Sequence, residues 1–181
     1  MIEISTSILN VAEQNAMKTF YDLEVAKTDY FHVDIMDGRF TKNDTSEKMR
    51  LYAEYLNQIT NIPMDVHLMV TNIKEYIDSY NIFNPNIITF HLEACKDTED
   101  VMKKIQYIKD NHCKVGIAIK PNTKIEEIYE FLPYIHFCLV MTVEPGKGGQ
   151  TFLSDMVKKI EDLKKYLEEN DLETDIEVDG G

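Results

Sequence analysis

The sequence predicts an α/β fold built on a parallel sheet, and three observations carry that prediction. Apolar, β-branched stretches alternate along the chain with stretches whose apolar residues recur at helical spacing. The pattern repeats roughly every 30 residues, the length of a strand–helix–strand crossover. The polar residues with chemical potential stand at the C-terminal ends of several strands. A (β/α)8 barrel gathers all those ends around one mouth, whereas an open sheet uses only the ends beside its switch point.

Residues 3–9 read as the first strand. Residues 11–27 read as a helix, with Ala12, Ala16, Phe20 and Leu23 on one face. The second strand covers 29–36 and runs into a polar loop at 37–45; Met49, Tyr52, Ala53, Leu56 and Ile59 then mark the second helix. The third strand, 64–69, follows Pro63, and its helix carries Ile73, Tyr76, Ile77 and Tyr80. A short β-branched strand at 87–90 precedes a helix marked by Val101, Ile105 and Ile108, and 114–119 is the fifth strand. Thr123 with Glu126 three residues on has the form of a capping box and predicts a helix through Ile125, Ile128, Tyr129 and Leu132. The sixth strand, 136–143, ends in a glycine-rich loop, 144–150. Ser154 is the expected N-cap of a long helix with Val157, Ile160, Leu163 and Leu167, and 175–178 is the seventh strand. The expectation is therefore a single (β/α) barrel domain over 1–181 with seven strands and six helices, ending before the eighth pair that closes such a barrel.

Composition narrows the function classes. The 181 residues carry a net charge of −13 with no basic stripe to neutralise phosphates, which speaks against nucleic acid and anionic membrane surfaces as partners. The three cysteines, Cys95, Cys113 and Cys138, are odd in number and form no CxxC pair, so reduced, buried thiols are expected. No apolar run approaches a membrane span, and the N-terminus lacks a signal-peptide pattern. A cytoplasmic protein is the expectation, with homo-oligomerisation left open.

The chemistry concentrates in three strand ends. His32 and Asp34 share one face of the second strand, His67 stands on the third, and Asp179 closes the seventh. Two imidazoles and two carboxylates suit a divalent ion such as Zn, Fe or Mn, which can polarise a carbonyl and stabilise an enediolate. Carboxylates on opposite sides of a substrate would also allow proton removal from one face and return to the other. Gly146, Lys147, Gly148 and Gly149 lie in a loop leading into a helix, where backbone N–H groups approach an anion and the helix N-terminus favours negative charge; Gly180-Gly181 offers a second such turn. Ser7, at the end of the first strand, hydrogen-bonds substrate or caps the turn. Met36, Met69 and Met141 suggest an apolar lining, and His91 with Glu93 forms a supporting or structural pair.

The segments Ser7-Ile8-Leu9, His32-Val33-Asp34-Ile35-Met36-Asp37-Gly38, Asp65-Val66-His67-Leu68-Met69, 141–150 and Glu177-Val178-Asp179-Gly180-Gly181 closely resemble the ribulose-phosphate 3-epimerase family, in order and spacing along the whole chain. The resemblance implies a TIM (β/α)8 barrel of the ribulose-phosphate-binding type, here lacking the last helix–strand–helix portion. It implies epimerisation at C3 of a ketose phosphate, ribulose 5-phosphate to xylulose 5-phosphate, within the pentose phosphate pathway. It implies one divalent ion (Zn, Fe, Mn or Co) held by His32, Asp34, His67 and Asp179. Asp34 is cast as proton acceptor and Asp179 as donor, and Ser7, His67, Gly146, Lys147, Gly148, Gly149, Gly180 and Gly181 as substrate contacts. Departures from the family pattern are Thr6, Arg39 to Asp44, Lys120 and Lys147. They bear on substrate identity more than on reaction type, and keep allulose 6-phosphate and a non-catalytic phosphosugar-binding role as alternatives. A similar metal-free decarboxylase barrel is disfavoured by the lack of an Asp-x-Lys-x-x-Asp motif. An exposed edge after the seventh strand leads to the expectation of weak or absent activity for residues 1–181 alone.

Overall fold

The computed structural model describes residues 2–180 and divides after Ile88 into two compact units. The strands take sheet positions in chain order, β1 to β7, with helices in the connections between them, the topology of a TIM-type α/β fold.

In the first unit, β1 (Ser5–Ser7), β2 (Tyr30–Met36) and β3 (Met64–Met69) pair in parallel, with Ser7 opposite His32 and Asp34 opposite His67. α1 (Ala16–Val25) follows a 3-10 turn at Glu13–Asn15, α2 (Ser46–Ile59) joins β2 to β3, and α3 (Ile73–Asn81) follows β3. β2 is buried on both faces, as a parallel strand covered by helices must be. Its Phe31, Val33 and Ile35 supply the apolar face, where Phe31 meets the Phe20 ring edge-on at 5.8 Å and Phe20 meets Tyr52 at 5.3 Å. Burying an aromatic side chain of this kind contributes about 1.5–3 kcal/mol. The opposite face carries His32, Asp34 and Met36. β1 is shorter than its apolar pattern promises, because Val11 N–H folds back on the Ile8 carbonyl at 3.1 Å and ends the strand.

β4 (Ile87–His91) crosses the division. The second unit continues with α4 (Thr98–Asp110), whose first turn is capped by the Asp97 carboxylate accepting from Asp100 N–H at 2.9 Å, then β5 (Lys114–Ile119), β6 (Phe137–Met141), α5 (Asp155–Glu169) and β7 (Asp175–Asp179). β5, β6 and β7 are parallel, with Ala118 opposite Leu139 and Leu139 opposite Glu177. Ala118, Leu139 and Met141 form one buried cluster. Gly116 is required by a close approach: a Cβ there would lie 2.1 Å from Thr89 Oγ1 and 2.9 Å from Thr89 Cβ. All three cysteines are free; Cys113 and Cys138 are buried, and burial pushes the Cys138 thiol up to about 12. Among the described residues, no helix is long and apolar enough to cross a membrane.

The helix expected from Thr123 to Leu132 does not form. Two 3-10 turns, Ile125–Glu127 and Leu132–Tyr134, stand in its place. The Thr123 hydroxyl, expected to cap a helix, instead donates to Glu93 Oε1. The same oxygen accepts Lys120 N–H at 2.7 Å, and the Lys159 ammonium on α5 takes the carbonyls of Lys120 (2.8 Å), Pro121 (3.2 Å) and Thr123 (2.5 Å). The loop after β5 thus has its polar groups satisfied by two other elements. Burial alone would raise the Glu93 carboxyl; His91, Thr123 and the Lys120 N–H outweigh it and bring it from 4.5 to about 2.

Two predictions follow from this packing. Gly116→Ala should cost about 1–3 kcal/mol in urea unfolding, and adding Thr89→Ala should recover most of that loss; a Gly116→Ala protein as stable as wild type would contradict the packing. Because the folded Glu93 pKa lies below its ordinary value, its stabilisation is fully present above pH 4.5 and disappears as pH falls toward 2. Glu93→Gln should therefore flatten the pH dependence of stability between 4.5 and 2 by up to about one proton's worth of slope; unchanged slopes would contradict it.

Candidate active site

Parallel pairing of β2 with β3 puts His32, Asp34 and His67 on one face of adjoining strands, with His32 within β2 rather than at its end. All three are buried in the absence of any apolar reason for it, at 4 %, 3 % and 0 % exposure. Asp34 Oδ1 lies 3.2 Å from His32 Nε2 and 3.1 Å from His67 Nδ1. Its other oxygen, Oδ2, accepts the Ser7 hydroxyl at 2.8 Å. His32 is oriented from behind: its Nδ1 lies 2.7 Å from Asp65 Oδ2, which also accepts the Ser5 hydroxyl at 2.7 Å. A carboxylate behind an imidazole fixes the tautomer and ring plane, the usual arrangement for a metal-ligating histidine.

The electrostatics follow from burial and these partners. Desolvation would push Asp34 up, but His32 and His67 outweigh it and hold the carboxyl well below the usual carboxylate range. Desolvation would push His32 down, but Asp34 and Asp65 outweigh it and raise it well above its ordinary value. With Nδ1–H committed to Asp65, a neutral His32 would aim the Nε2 lone pair at an anionic oxygen 3.2 Å away. That contact is favourable only if positive charge lies between the two atoms, as a proton or as a cation. One ligand atom from each of His32, Asp34 and His67 lies within 4.8 Å of the others, so the donor set of two imidazoles and a carboxylate fits a divalent ion of the Zn, Fe, Mn or Co type.

In the second unit, Asp179 ends β7 opposite Met141 of β6 and is half-buried. The backbone beyond it is locked to the end of β6: Thr142 N–H and Oγ1 both donate to the Asp179 carbonyl at 2.8 Å, and Oγ1 also reaches the Gly180 carbonyl at 2.7 Å. Gly180 takes φ +111°, and a Cβ on it would strike Val143 Cγ2 at 2.4 Å, so only glycine fits. Gly181 lies outside the described residues. The loop with Gly146, Lys147, Gly148 and Gly149 is closed by the Gln150 amide, which donates to the carbonyls of Glu144 (2.7 Å) and Lys147 (2.9 Å), and it delivers the chain to the N-terminus of α5. Ser154 stands at the expected N-cap of α5, but its side chain makes no capping bond.

The loop after β2 is held by Asp37. Its Oδ1 accepts the N–H groups of Arg39 and Phe40, and its Oδ2 accepts Thr71 N–H at 2.7 Å and the Thr71 hydroxyl at 2.8 Å, tying the β2 loop to the β3 loop. Met36 and Met69 face each other in register and are buried, as is Met141 in its own unit. His91 is fully buried with Nδ1 3.1 Å from Glu93 Oε2. His136 Nδ1 accepts Val115 N–H at 3.1 Å, a structural role. Sequence reasoning missed Asp65, Ser5 and Lys159. Asp65 had a signal, since it stands two residues before His67 and shares its face, as His32 does with Asp34; Lys159 had none, because its partners are backbone carbonyls.

The model of the ribulose-phosphate 3 epimerase family matches residues 3–181. A ribulose-phosphate 3-epimerase of Methanocaldococcus jannaschii is 38% identical over 181 residues, covering 100% of this chain and 74% of that protein. The Bacillus subtilis ribulose-phosphate 3-epimerase is 34% identical, covering 100% of this chain and 82% of the relative. The chloroplastic ribulose-5-phosphate-3-epimerase of Arabidopsis thaliana is 34% identical, covering 99% of this chain and 63% of its own length. Among solved structures, Mycobacterium tuberculosis tryptophan synthase shares the fold at TM-score 0.57 and 6% identity, over 97% of this chain and 83% of the other. On the family match and these relatives, the chain belongs to the ribulose-phosphate 3-epimerase family of isomerases.

Proposed function

We propose that the protein is a metal-dependent ketose-phosphate 3-epimerase that interconverts D-ribulose 5-phosphate and D-xylulose 5-phosphate. The observation that carries this reading is the buried Asp34 carboxylate, held anionic between His32 and His67 at the strand ends. The reading treats residues 1–181 as one barrel domain and assigns the metal to His32, Asp34, His67 and Asp179. A bound divalent ion would polarise the sugar carbonyl and offset the negative charge that develops beside it. Asp34 accepts the C3 proton, and its low basicity means it is ionised whenever substrate arrives at neutral pH. Ser7 fixes the orientation of Asp34 through Oδ2. Asp179 returns a proton to the opposite face of C3, with the roles exchanged in reverse. Gly146, Lys147, Gly148, Gly149, Gly180 and Gly181 receive the phosphate, and Ser7 and His67 contact the sugar. Ribulose 5-phosphate is favoured over allulose 6-phosphate because relatives matched along the whole of this chain carry the ribulose-phosphate name.

Two measurements test this. In heavy water, the metal-loaded protein should incorporate deuterium at C3 of D-ribulose 5-phosphate and form xylulose 5-phosphate, with allulose 6-phosphate turned over more slowly. Binding of the sugar phosphate without C3 exchange would instead identify a non-catalytic phosphosugar-binding protein. Asp34→Asn should lower both exchange and epimerisation of D-ribulose 5-phosphate by about 10²–10⁴-fold. Asp179→Asn, checked for metal content, should abolish epimerisation while leaving measurable C3 exchange from D-ribulose 5-phosphate; equal loss of both at full metal content would contradict the assigned roles.

A further inference from the structure

The clamp on the loop after β5 is more than that connection requires. A half-buried ammonium spends its hydration on three backbone carbonyls, and burial holds its pKa below the ordinary lysine value. On the other side of the loop, the Glu93 carboxylate takes Lys120 N–H and the Thr123 hydroxyl. A helix beginning at Thr123 would have satisfied the Thr123 carbonyl but not the Lys120 N–H or the Pro121 carbonyl, which lie before its first turn. What the clamp secures instead is the backbone of Lys120.

Register places that residue. Ala118 is opposite Leu139, so Lys120, two residues on, falls in the row of Met141, and Met141 is opposite Asp179. Gly116, Ala118 and Lys120 alternate onto one strand face, the face that carries Leu139, Met141 and Asp179. Lys120 and Asp179 are two strands apart, roughly 10 Å at the backbone. A lysine stem and a five-carbon sugar phosphate together span that gap.

We propose that Lys120 is a further substrate-contacting residue, donating from its ammonium to an oxygen of the anionic sugar phosphate beside Asp179, with Glu93 and Lys159 as its positioning residues. The proposal rests on the sugar-phosphate reading above.

The test is a double-mutant cycle read by isothermal titration of D-ribulose 5-phosphate into the metal-loaded full chain. Lys120→Met should weaken binding about tenfold, and Lys120→Arg should stay within about threefold of wild type. Lys159→Met should weaken binding about as much as Lys120→Met, and the double variant should bind no more weakly than Lys120→Met alone, to within about twofold. Glu93→Gln takes the place of Lys159→Met if that variant does not fold. Lys120→Met binding within about twofold of wild type, or additive losses in the double variant, would overturn the proposal. The C3 exchange assay separates the two readings. Wild type that binds with this mutational pattern but exchanges no deuterium removes the chemistry and keeps Lys120; wild type that exchanges deuterium while Lys120→Met binds normally removes only Lys120. Wild type that binds no D-ribulose 5-phosphate overturns both.

Discussion

A carboxylate withdrawn from water must be compensated on the spot, and Asp34 is the point at which that constraint shapes the molecule. Its two oxygens are shared among His32, His67 and Ser7, one from each of three adjoining strands. His32 is two residues away on the same strand, but Ser7 and His67 are 27 and 33 residues away in sequence. The contacts exist because β1, β2 and β3 pair in parallel at a register that puts Ser7 beside His32 and Asp34 beside His67. A slip of one residue would turn all of them to the apolar face now held by Phe31, Val33 and Ile35. The packing of Phe20 and Tyr52 against that face is therefore also what holds the polar face in place.

The same economy recurs behind and around the candidate ligands. Asp65 and Ser5 orient His32 from below, and Asp37 braces the β2 loop with two hydrogen bonds and ties it to the β3 loop with two more. In the second unit, Thr142 fastens the turn after Asp179, and Glu93 with Lys159 fastens the loop after β5. Apart from Asp65 and Ser5, which hold a side chain, each device uses a polar or charged side chain to hold the backbone beyond a C-terminal strand end. That is where a barrel of this type does its chemistry, so these bonds hold loops rather than core.

Most of the fold was legible in the sequence because the strands and helices differ in period. β3 and β5 fall on the residues the pattern marks, and α2 to α5 appear where apolar spacing places them. The failure after β5 has a specific cause: Thr123 and Glu126 match a capping signal, but Thr123 is captured by a distant carboxylate that local pattern cannot see. The candidate ligands His32 and Asp34 were legible because alternation alone assigns them to one face, and the β2–β3 register then brings His67 beside Asp34. Ser7 was visible as a polar strand end, though its hydrogen bond to Asp34 was not. Lys159 was invisible, since a helical lysine that binds carbonyls looks like any solvated one until the loop beneath it is known.

The central claim is that His32, Asp34 and His67 form a metal centre rather than a purely hydrogen-bonded polar cluster. Titration with cobalt(II), followed by visible absorption and by metal analysis after dialysis, tests it most directly. The account predicts one cobalt per chain, with d–d bands that disappear in His32→Ala and in His67→Ala while the fold persists. Absence of stoichiometric cobalt, or bands unchanged in both variants, would contradict it.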